Sequence, residues 1–223
     1  RVVAVNADIA AALADAGVPN DRVLVYAAFT PSSLSFRLPP AGLQQLRRAH
    51  SPLVAAMLAP GVEYGADCLL DAFAIVRRAR PDAGLVIYGP GTRDPALVAA
   101  VHARGLAGKV HHLGELPRER ALAVAAAADV FVRPTLADGD AISVREALAL
   151  GRPVVASRVG ARPAGIFGFP AGDAAACAEQ VFLAVDNALP EFAPQSDCLP
   201  ALLDLYRHIG AAVTNGTSLA TAR

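Results

Sequence analysis

Along most of its length the chain alternates between short runs of consecutive apolar, largely β-branched residues and longer Ala/Leu-rich amphipathic stretches. The runs are Val2–Val5, Val23–Tyr26, Leu53–Leu58, Leu85–Tyr88, Val110–Leu113, Val130–Val132 and Val154–Ala156. Helical patterns fill the intervals at Ala7–Ala16, Ala66–Arg80, Pro95–Arg104, Pro117–Ala128, Ala141–Leu150 and Ala174–Ala184. A strand that is apolar at every position, rather than at every second one, must be covered on both faces. Such strands separated by helices fold as right-handed βαβ units, so the pattern predicts an α/β protein with a doubly wound parallel sheet.

The rhythm breaks once. Between Phe29 and Pro52 the chain reads Thr30-Pro31-Ser32-Ser33 and Leu38-Pro39-Pro40-Ala41-Gly42, then a short helix candidate, then Ser51-Pro52. Pro- and Ser-rich composition of this kind marks a linker. It divides the chain into a βαβ remnant of an earlier domain (1–29), a linker (30–51), one complete sheet domain (52–186), and a tail (187–223) with a last helix candidate at Leu199–His208. Asn6 is placed as the N-cap of the first helix and Gly17 as its C-cap.

Composition excludes several classes of function. Hydrophobic residues make up 54% of the chain, enough for a substantial core. Lys+Arg and Asp+Glu are both 20, so there is no basic excess to neutralise phosphates and no nucleic-acid partner is expected. Lys109 is the only lysine. Cys68, Cys177 and Cys198 form no C-x-x-C pair, which reads as buried structural thiols in a reducing cytosol rather than a disulfide framework or zinc site. The apolar stretches Ala121–Val132 and Pro52–Pro60 are too short to span a bilayer. No signal peptide is visible, and a chain beginning at Arg1 reads as a fragment.

In an open parallel sheet, ligands bind beyond the carboxyl ends of the strands, where helix N-termini present unpaired N–H groups. Two strand-end loops stand out. Tyr88-Gly89-Pro90-Gly91-Thr92-Arg93-Asp94-Pro95 is half of a dinucleotide fingerprint, but Asp94 occupies the third glycine position and a structural turn accounts for it equally well. The second loop, Arg133 to Ala147, opens a helix and carries Asp138 in the loop and Glu146 eight positions on. If the helix starts near Asp140, Glu146 lies about two turns in, on the face of Ile142 and Ser143. N–H groups there suit a phosphate, and a carboxylate suits a sugar or ribose hydroxyl. Taken alone, the same spacing also fits Asp138 and Asp140 as helix caps with Glu146 in solvent.

The segment Glu146-Ala147-Leu148-Ala149-Leu150-Gly151-Arg152-Pro153-Val154-Val155-Ala156-Ser157, with Gly160 shortly after, closely resembles the C-terminal half of family-4 (group 1) glycosyltransferases of the GT-B fold. An acidic-Gly loop, Asp138-Gly139, precedes it at the family's spacing. Further similarities follow in the same order: Leu85–Gly89, Val110–Gly114, and Ala128-Asp129-Val130-Phe131-Val132-Arg133-Pro134-Thr135. The resemblance covers nearly the whole chain. It implies a Rossmann-like donor-binding domain, 52–186, joined to the last piece of an acceptor-binding domain. The closing helix would cross back to that first domain.

The resemblance further implies a retaining transfer of a hexose-type sugar from a nucleotide-diphosphate sugar, with no metal and no cofactor. The acceptor, a glycan, lipid or small molecule, would be held by an N-terminal domain. A cytoplasmic location follows, with room for peripheral membrane association of the full-length protein at the inner face. Glu146 takes the position that holds the ribose, and Asp138 with Gly139 the position that meets the donor sugar. The backbone of Ile142, Ser143 and Val144 would cradle the diphosphate, and the turn at Gly114 and Glu115 would meet the base. The family's arginine and lysine positions read Ala59 and Tyr64, and no Lys or Arg occurs between Ser51 and Val76. That leaves the catalytic residues unassigned and makes Arg93, Arg133 and Arg158 the candidate diphosphate cations. A glycosyltransferase-like module that has lost its chemistry and serves binding or assembly is the alternative. An NAD-dependent enzyme is a third, disfavoured by the incomplete glycine fingerprint.

Overall fold

The computed structural model describes residues 1–27, 29–31, 34, 42–187 and 197–217. Among the described residues there are two sheets. β1 (Val2–Ala4) and β2 (Val23–Val25) pair in parallel around α1 (Ala7–Asp15). Asn6 caps α1 by accepting the Ile9 N–H, and Gly17 follows its last turn. After α2 (Leu43–Ala49), the main domain runs β3 (Leu53–Met57), α3 (Ala66–Ala79), β4 (Gly84–Tyr88), α4 (Pro95–Ala103), β5 (Val110–Gly114) and α5 (Arg118–Ala127). It continues with β6 (Val130–Arg133), α6 (Ile142–Ala149), β7 (Val154–Ser157), β8 (Phe167–Phe169) and α7 (Ala174–Asp186). A final helix, α8 (Leu199–Thr217), closes the chain.

The six-stranded sheet is parallel throughout, in the order β5-β4-β3-β6-β7-β8. Its strands are buried on both faces, as their uninterrupted apolar sequence requires. On β3, Val54 and Ala56 join one core with α3, α4 and α7, while Leu53 and Ala55 join a second core with α2, α5 and α6. The same alternation repeats on β6, where Val130 and Val132 face the first core and Phe131 the second. At the amino end of the sheet, Asp129 Oδ2 accepts the Leu53 N–H at 2.7 Å, tying the start of β3 to the start of β6.

The structure departs from the sequence pattern in four places. β8 was not legible: Phe167-Gly168-Phe169 is three residues with a glycine at its centre, so it makes no apolar run, yet it pairs with β7. α6 starts at Ile142 rather than near Asp140, so Glu146 lies one turn in and not two. α8 continues to Thr217, well past His208: no proline interrupts residues 209–217, and Gly210 and Gly216 do not end the helix. Within the linker 30–51, α2 packs Leu43 into the second core; residues 32, 33 and 35–41 lie outside the described residues, as do 188–196 and 218–223 of the tail.

Candidate functional site

The chain order reverses between β3 and β6, and the crevice beyond the carboxyl ends of those two strands is where an open α/β sheet receives its ligand. Two loops form its walls. The β3–α3 loop turns back through a single 3₁₀ turn, Val62–Tyr64, and enters α3 from Gly65 at φ +69°. A Cβ on Gly65 would collide with the Pro134 carbonyl, so the two loops touch at a point that excludes any side chain. Leu136 N–H also donates to the Glu63 carbonyl at 2.7 Å.

The β6–α6 loop is pinned from the other side. Gly160, at φ +59°, lies against the carbonyls of Asp138 and Gly139, where a Cβ would collide with both. Ala161 N–H donates to Gly139 O at 2.8 Å, and Asn6 Nδ2 reaches the same carbonyl at 2.9 Å. The short segment Asp138–Asp140 is thus held by two separate parts of the chain, the Gly160–Ala161 turn and Asn6.

Within this frame lies an open cavity of about 440 Å³, lined by Met57, Tyr88, Arg118, Arg133, Asp138, Asp140, Ile142, Ser143 and Glu146, with Ala121, Leu122 and Ala125 along its apolar end. Glu146 is largely buried and pairs through Oε1 with Arg118, whose Nη2 approaches to 2.7 Å. Burial pushes its carboxyl above the usual range, and the Arg118 guanidinium opposes that rise. Tyr88 is held protonated by burial, with the Glu146 charge adding to the effect.

Asp138 is the hub of the opposite end. Its Oδ2 accepts from Arg133 Nε at 3.4 Å, Arg162 Nη2 at 3.3 Å and Thr135 Oγ1 at 3.3 Å. Asp140 pairs through Oδ1 with Arg145 Nε at 2.7 Å, and its buried Oδ2 has no partner among the described residues. Neither aspartate caps α6: the N-cap residue is Ala141, without a side-chain bond. The capping reading of this loop is therefore set aside.

Of the residues singled out from sequence, Asp138, Ile142, Ser143, Glu146 and Arg133 converge on the cavity, with Gly139 beside it in the loop. Val144 does not join them. Its side chain is in the second core and its N–H is spent on the Ala141 carbonyl at 3.0 Å, leaving Ile142 and Ser143 as the N–H groups at the mouth of α6. Gly114 and Glu115 lie outside the lining; the Gly114 carbonyl already receives the Gly89 N–H, and Glu115 points to solvent. Arg93 donates to the carbonyls of His112 and Leu113, and exposed Arg158 lies against Gly168, so neither reaches the cavity. Ala59 lines a separate apolar hollow of about 300 Å³ with Pro60, Pro90 and Thr92. Tyr64 instead lies under the Arg133 guanidinium, 5.2 Å from Cζ to the ring centroid.

Arg162 escaped the sequence reading. It sits two residues past Gly160, beyond the end of the β7 run, and nothing in its spacing distinguished it from Arg158. The turn at Gly160 sends Arg162 inward and leaves Arg158 outside. His111 and His112 point to opposite faces, toward His50 and the Thr92 carbonyl respectively. All three cysteines are buried and unpaired, and burial pushes the Cys68 thiol up to about 11. Among the described residues, no group of three His, Cys, Asp or Glu could hold a metal ion, and no helix is long and apolar enough to cross a membrane.

Comparison with known proteins places this arrangement. A GDP-mannose-dependent monoacylated alpha-(1-6)-phosphatidylinositol monomannoside mannosyltransferase of Corynebacterium glutamicum is 32% identical over 120 residues, 51% of this chain and 31% of that protein. A GDP-mannose-dependent alpha-(1-6)-phosphatidylinositol monomannoside mannosyltransferase of Mycobacterium tuberculosis is 32% identical over 139 residues, 57% of this chain and 36% of that protein. The chain thus spans about a third of the length of these relatives. Among solved structures, Anabaena HepE in complex with UDP-glucose superposes with a TM-score of 0.68 at 20% identity, covering 83% of this chain and 54% of that one. Sucrose-phosphate synthase of Thermosynechococcus elongatus gives a TM-score of 0.66 at 21% identity, over 83% and 49% of the two chains. These likenesses show the shared fold. Residues 52–187, more than half of the chain and the whole of the cavity lining, match the family of glycosyl transferases, group 1, and the chain belongs to that family.

Proposed function

We propose that the cavity is the donor site of a glycosyltransferase and takes a nucleotide-diphosphate sugar. The observation that carries this reading is the meeting of three groups at the switch point: the Glu146 carboxylate, the N–H groups of Ile142 and Ser143, which have no partner among the described residues, and Asp138. Glu146 accepts the ribose hydroxyls, exchanging part of its pairing with Arg118. The first turn of α6 receives the diphosphate, where its N–H groups and the helix dipole favour negative charge. Among the described residues Asp138 is bonded only through Oδ2, which leaves its second oxygen for a donor-sugar hydroxyl. The apolar end formed by Tyr88, Ala121, Leu122 and Ala125 suits the base.

The domain reading that goes with it is a C-terminal donor half, 52–186, preceded by the end of an acceptor-binding half, with retention of configuration at a hexose-type sugar. The donor requires no metal in this reading, because charge on the leaving group is met by helix N–H groups and side-chain cations. The relatives named for phosphatidylinositol mannosides support a lipid-borne acceptor, and with it peripheral association at the cytoplasmic face of a membrane. The absence of any Lys or Arg from Ser51 to Val76 favours a second reading, a module that binds nucleotide without transferring sugar.

Thermal denaturation of the chain with UDP, GDP, ADP and their hexose conjugates tests the site. Ligand at about 100 times its Kd adds roughly 2.7 kcal/mol and several degrees to the melting point. A shift for one base that disappears in Glu146→Ala is the expected result, and no shift with any nucleotide would contradict it. Transfer or hydrolysis of the bound donor by the full-length protein separates the enzyme from the degenerate module.

A further inference from the structure

The charge around the cavity does not balance at one end. Glu146 is matched by Arg118 and Asp140 by Arg145, but Asp138 faces two guanidiniums, Arg133 and Arg162. The side chains of both arginines are more than nine-tenths buried, at 9% and 7% exposure. Holding two cations out of water against a single carboxylate leaves one positive charge uncompensated, an expensive arrangement for packing alone. A site that awaits an anion accounts for it.

The two arginines are engaged differently. Arg162 has every nitrogen occupied: Nε donates to Ser157 O at 3.0 Å, Nη1 to Ala161 O at 3.3 Å, and Nη2 to Thr135 Oγ1 and Asp138 Oδ2 at 3.0 and 3.3 Å. It is fixed, with no nitrogen left over for a ligand. Arg133 makes only long contacts, 3.4 Å each to Asp138 Oδ2, Met57 O and Met57 Sδ, and its Nη2 has no partner among the described residues. Arg133 lines the cavity, beneath it lies the Tyr64 ring, and beside it opens the first turn of α6. The wall formed by the β3–α3 loop offers no cation at all and Arg118, on α5, is paired with Glu146, which leaves the β6 side as the source of counter-charge for a diphosphate placed at α6.

We infer that Arg133 is the cation that binds the donor diphosphate, and that Arg162 is its positioning residue, acting through Asp138. The inference rests on the donor-site reading above. Asp138 Oδ2 serves as the pivot: Arg162 and Thr135 fix the carboxylate, and the carboxylate and Tyr64 fix the Arg133 guanidinium edge-on to the cavity. Phosphate oxygens then replace the long contacts of Arg133 with short, charge-assisted ones. Tyr64 is in this account a shelf for the cation rather than an inert replacement, since a guanidinium over an aromatic face is held without surrendering its N–H groups.

Calorimetric titration of the chain with UDP, GDP and ADP, and with uridine, guanosine and adenosine, tests both levels. Arg133→Ala is expected to weaken the preferred nucleoside diphosphate about ten- to hundredfold while leaving the matching nucleoside within about twofold. Arg133→Lys, which keeps the charge and the fold, should restore part of the loss. Arg162→Lys should weaken the diphosphate by a smaller factor, and the double variant Arg133→Ala/Arg162→Lys should bind no worse than Arg133→Ala alone, because Arg162 works through its neighbour. An unchanged ratio of diphosphate to nucleoside affinity in Arg133→Ala overturns the assignment, and so does equal weakening of both ligands. Independent, additive losses would assign Arg162 a contact of its own and overturn its positioning role. If the unsubstituted chain binds none of the three diphosphates, the donor-site reading itself has failed.

Discussion

The β3–α3 and β6–α6 loops leave the two central strands of the sheet side by side, yet they are built from opposite materials. The first, Leu58-Ala59-Pro60-Gly61-Val62-Glu63-Tyr64-Gly65, sends no cation into the crevice and leaves Val62 85% exposed. The second carries Arg133, Asp138 and Asp140 within eight residues, every one paired and mostly buried. One loop supplies shape, through a glycine contact, a backbone hydrogen bond and an aromatic shelf. The other supplies charge. A site at a switch point needs both, but the division means that a loop without cations is no sign of a site without them: the field is set wherever buried guanidiniums can be held, here by β6 and by the turn after β7.

Cutting the hub of the charged loop should have the largest effect. Asp138→Ala leaves two buried arginines facing one another without a counter-charge, a loss of about 3–5 kcal/mol, or a melting point lower by roughly 6–20 °C for a domain of this size. The matched change Glu63→Ala in the other loop should cost less than about 0.5 kcal/mol, since only the backbone of Glu63 is engaged across the crevice. Urea or thermal unfolding measures both, and equal losses would erase the distinction between the loops.

Next in size comes the shape side of the comparison. Gly65→Ala combines a left-handed backbone angle with a collision against the Pro134 carbonyl, and about 2–4 kcal/mol of stability should go. Because the contact is what spaces the two loops, nucleotide affinity should fall with it although no ligand-binding side chain has changed. Retained affinity in a destabilised Gly65→Ala would show that the β6–α6 loop holds its geometry without its neighbour.

How much of this was readable beforehand follows the same division. Continuous apolar runs announced seven strands, and Gly-Arg-Pro-Val-Val-Ala-Ser with its upstream acidic-Gly loop marked the cavity, because both depend on local pattern. What escaped depends on long-range closure. β8 is recognisable only by its pairing with β7, Arg162 only by the turn at Gly160 that aims it inward, and the Val144 N–H is lost to the site because it bonds back to the Ala141 carbonyl in a tight first turn. Tyr64 is the plainest case. Read along the chain it is a position without its cation; in three dimensions it is where the Arg133 guanidinium rests.

A subtler change acts on protons rather than contacts. Burial already raises the Glu146 carboxyl, and Arg118 is what restrains that rise. A group whose pKa is raised in the folded protein takes up its proton at higher pH than usual, and a protonated Glu146 no longer offers two acceptor oxygens to the ribose. Nucleotide affinity should therefore weaken on acidification, starting above the ordinary 4.5 of a glutamate, and Arg118→Ala should move that fall to still higher pH. Titrations over a pH series check this; a profile unmoved by Arg118→Ala would mean that the pair exerts no control over the carboxylate when nucleotide is bound.

The smallest expected effect lies at the other pole of the sheet and serves as the control for all the rest. His50 and His111 meet through their Nε2 atoms at 2.8 Å, with His50 Nδ1 3.2 Å from the Asp82 carbonyl. For His50 to donate to that carbonyl its Nε2 must accept, so His111 donates, and the contact fails once neither Nε2 is left to accept. Burial holds the His111 pKa below its ordinary 6.5, with the neighbouring His50, His112 and Lys109 charges acting in the same direction. Because the folded value is the lower one, the unfolded chain takes up the proton first as pH falls. The contribution to stability is complete above about 6.5 and is lost as pH falls from there through the folded value. A modest decline in melting point over that window should be flattened by His111→Gln, while nucleotide affinity at pH 7.5 stays as it was. A change in affinity instead would tie the amino end of the sheet to the crevice, and the contrast between the two loops would no longer be a property of the loops alone.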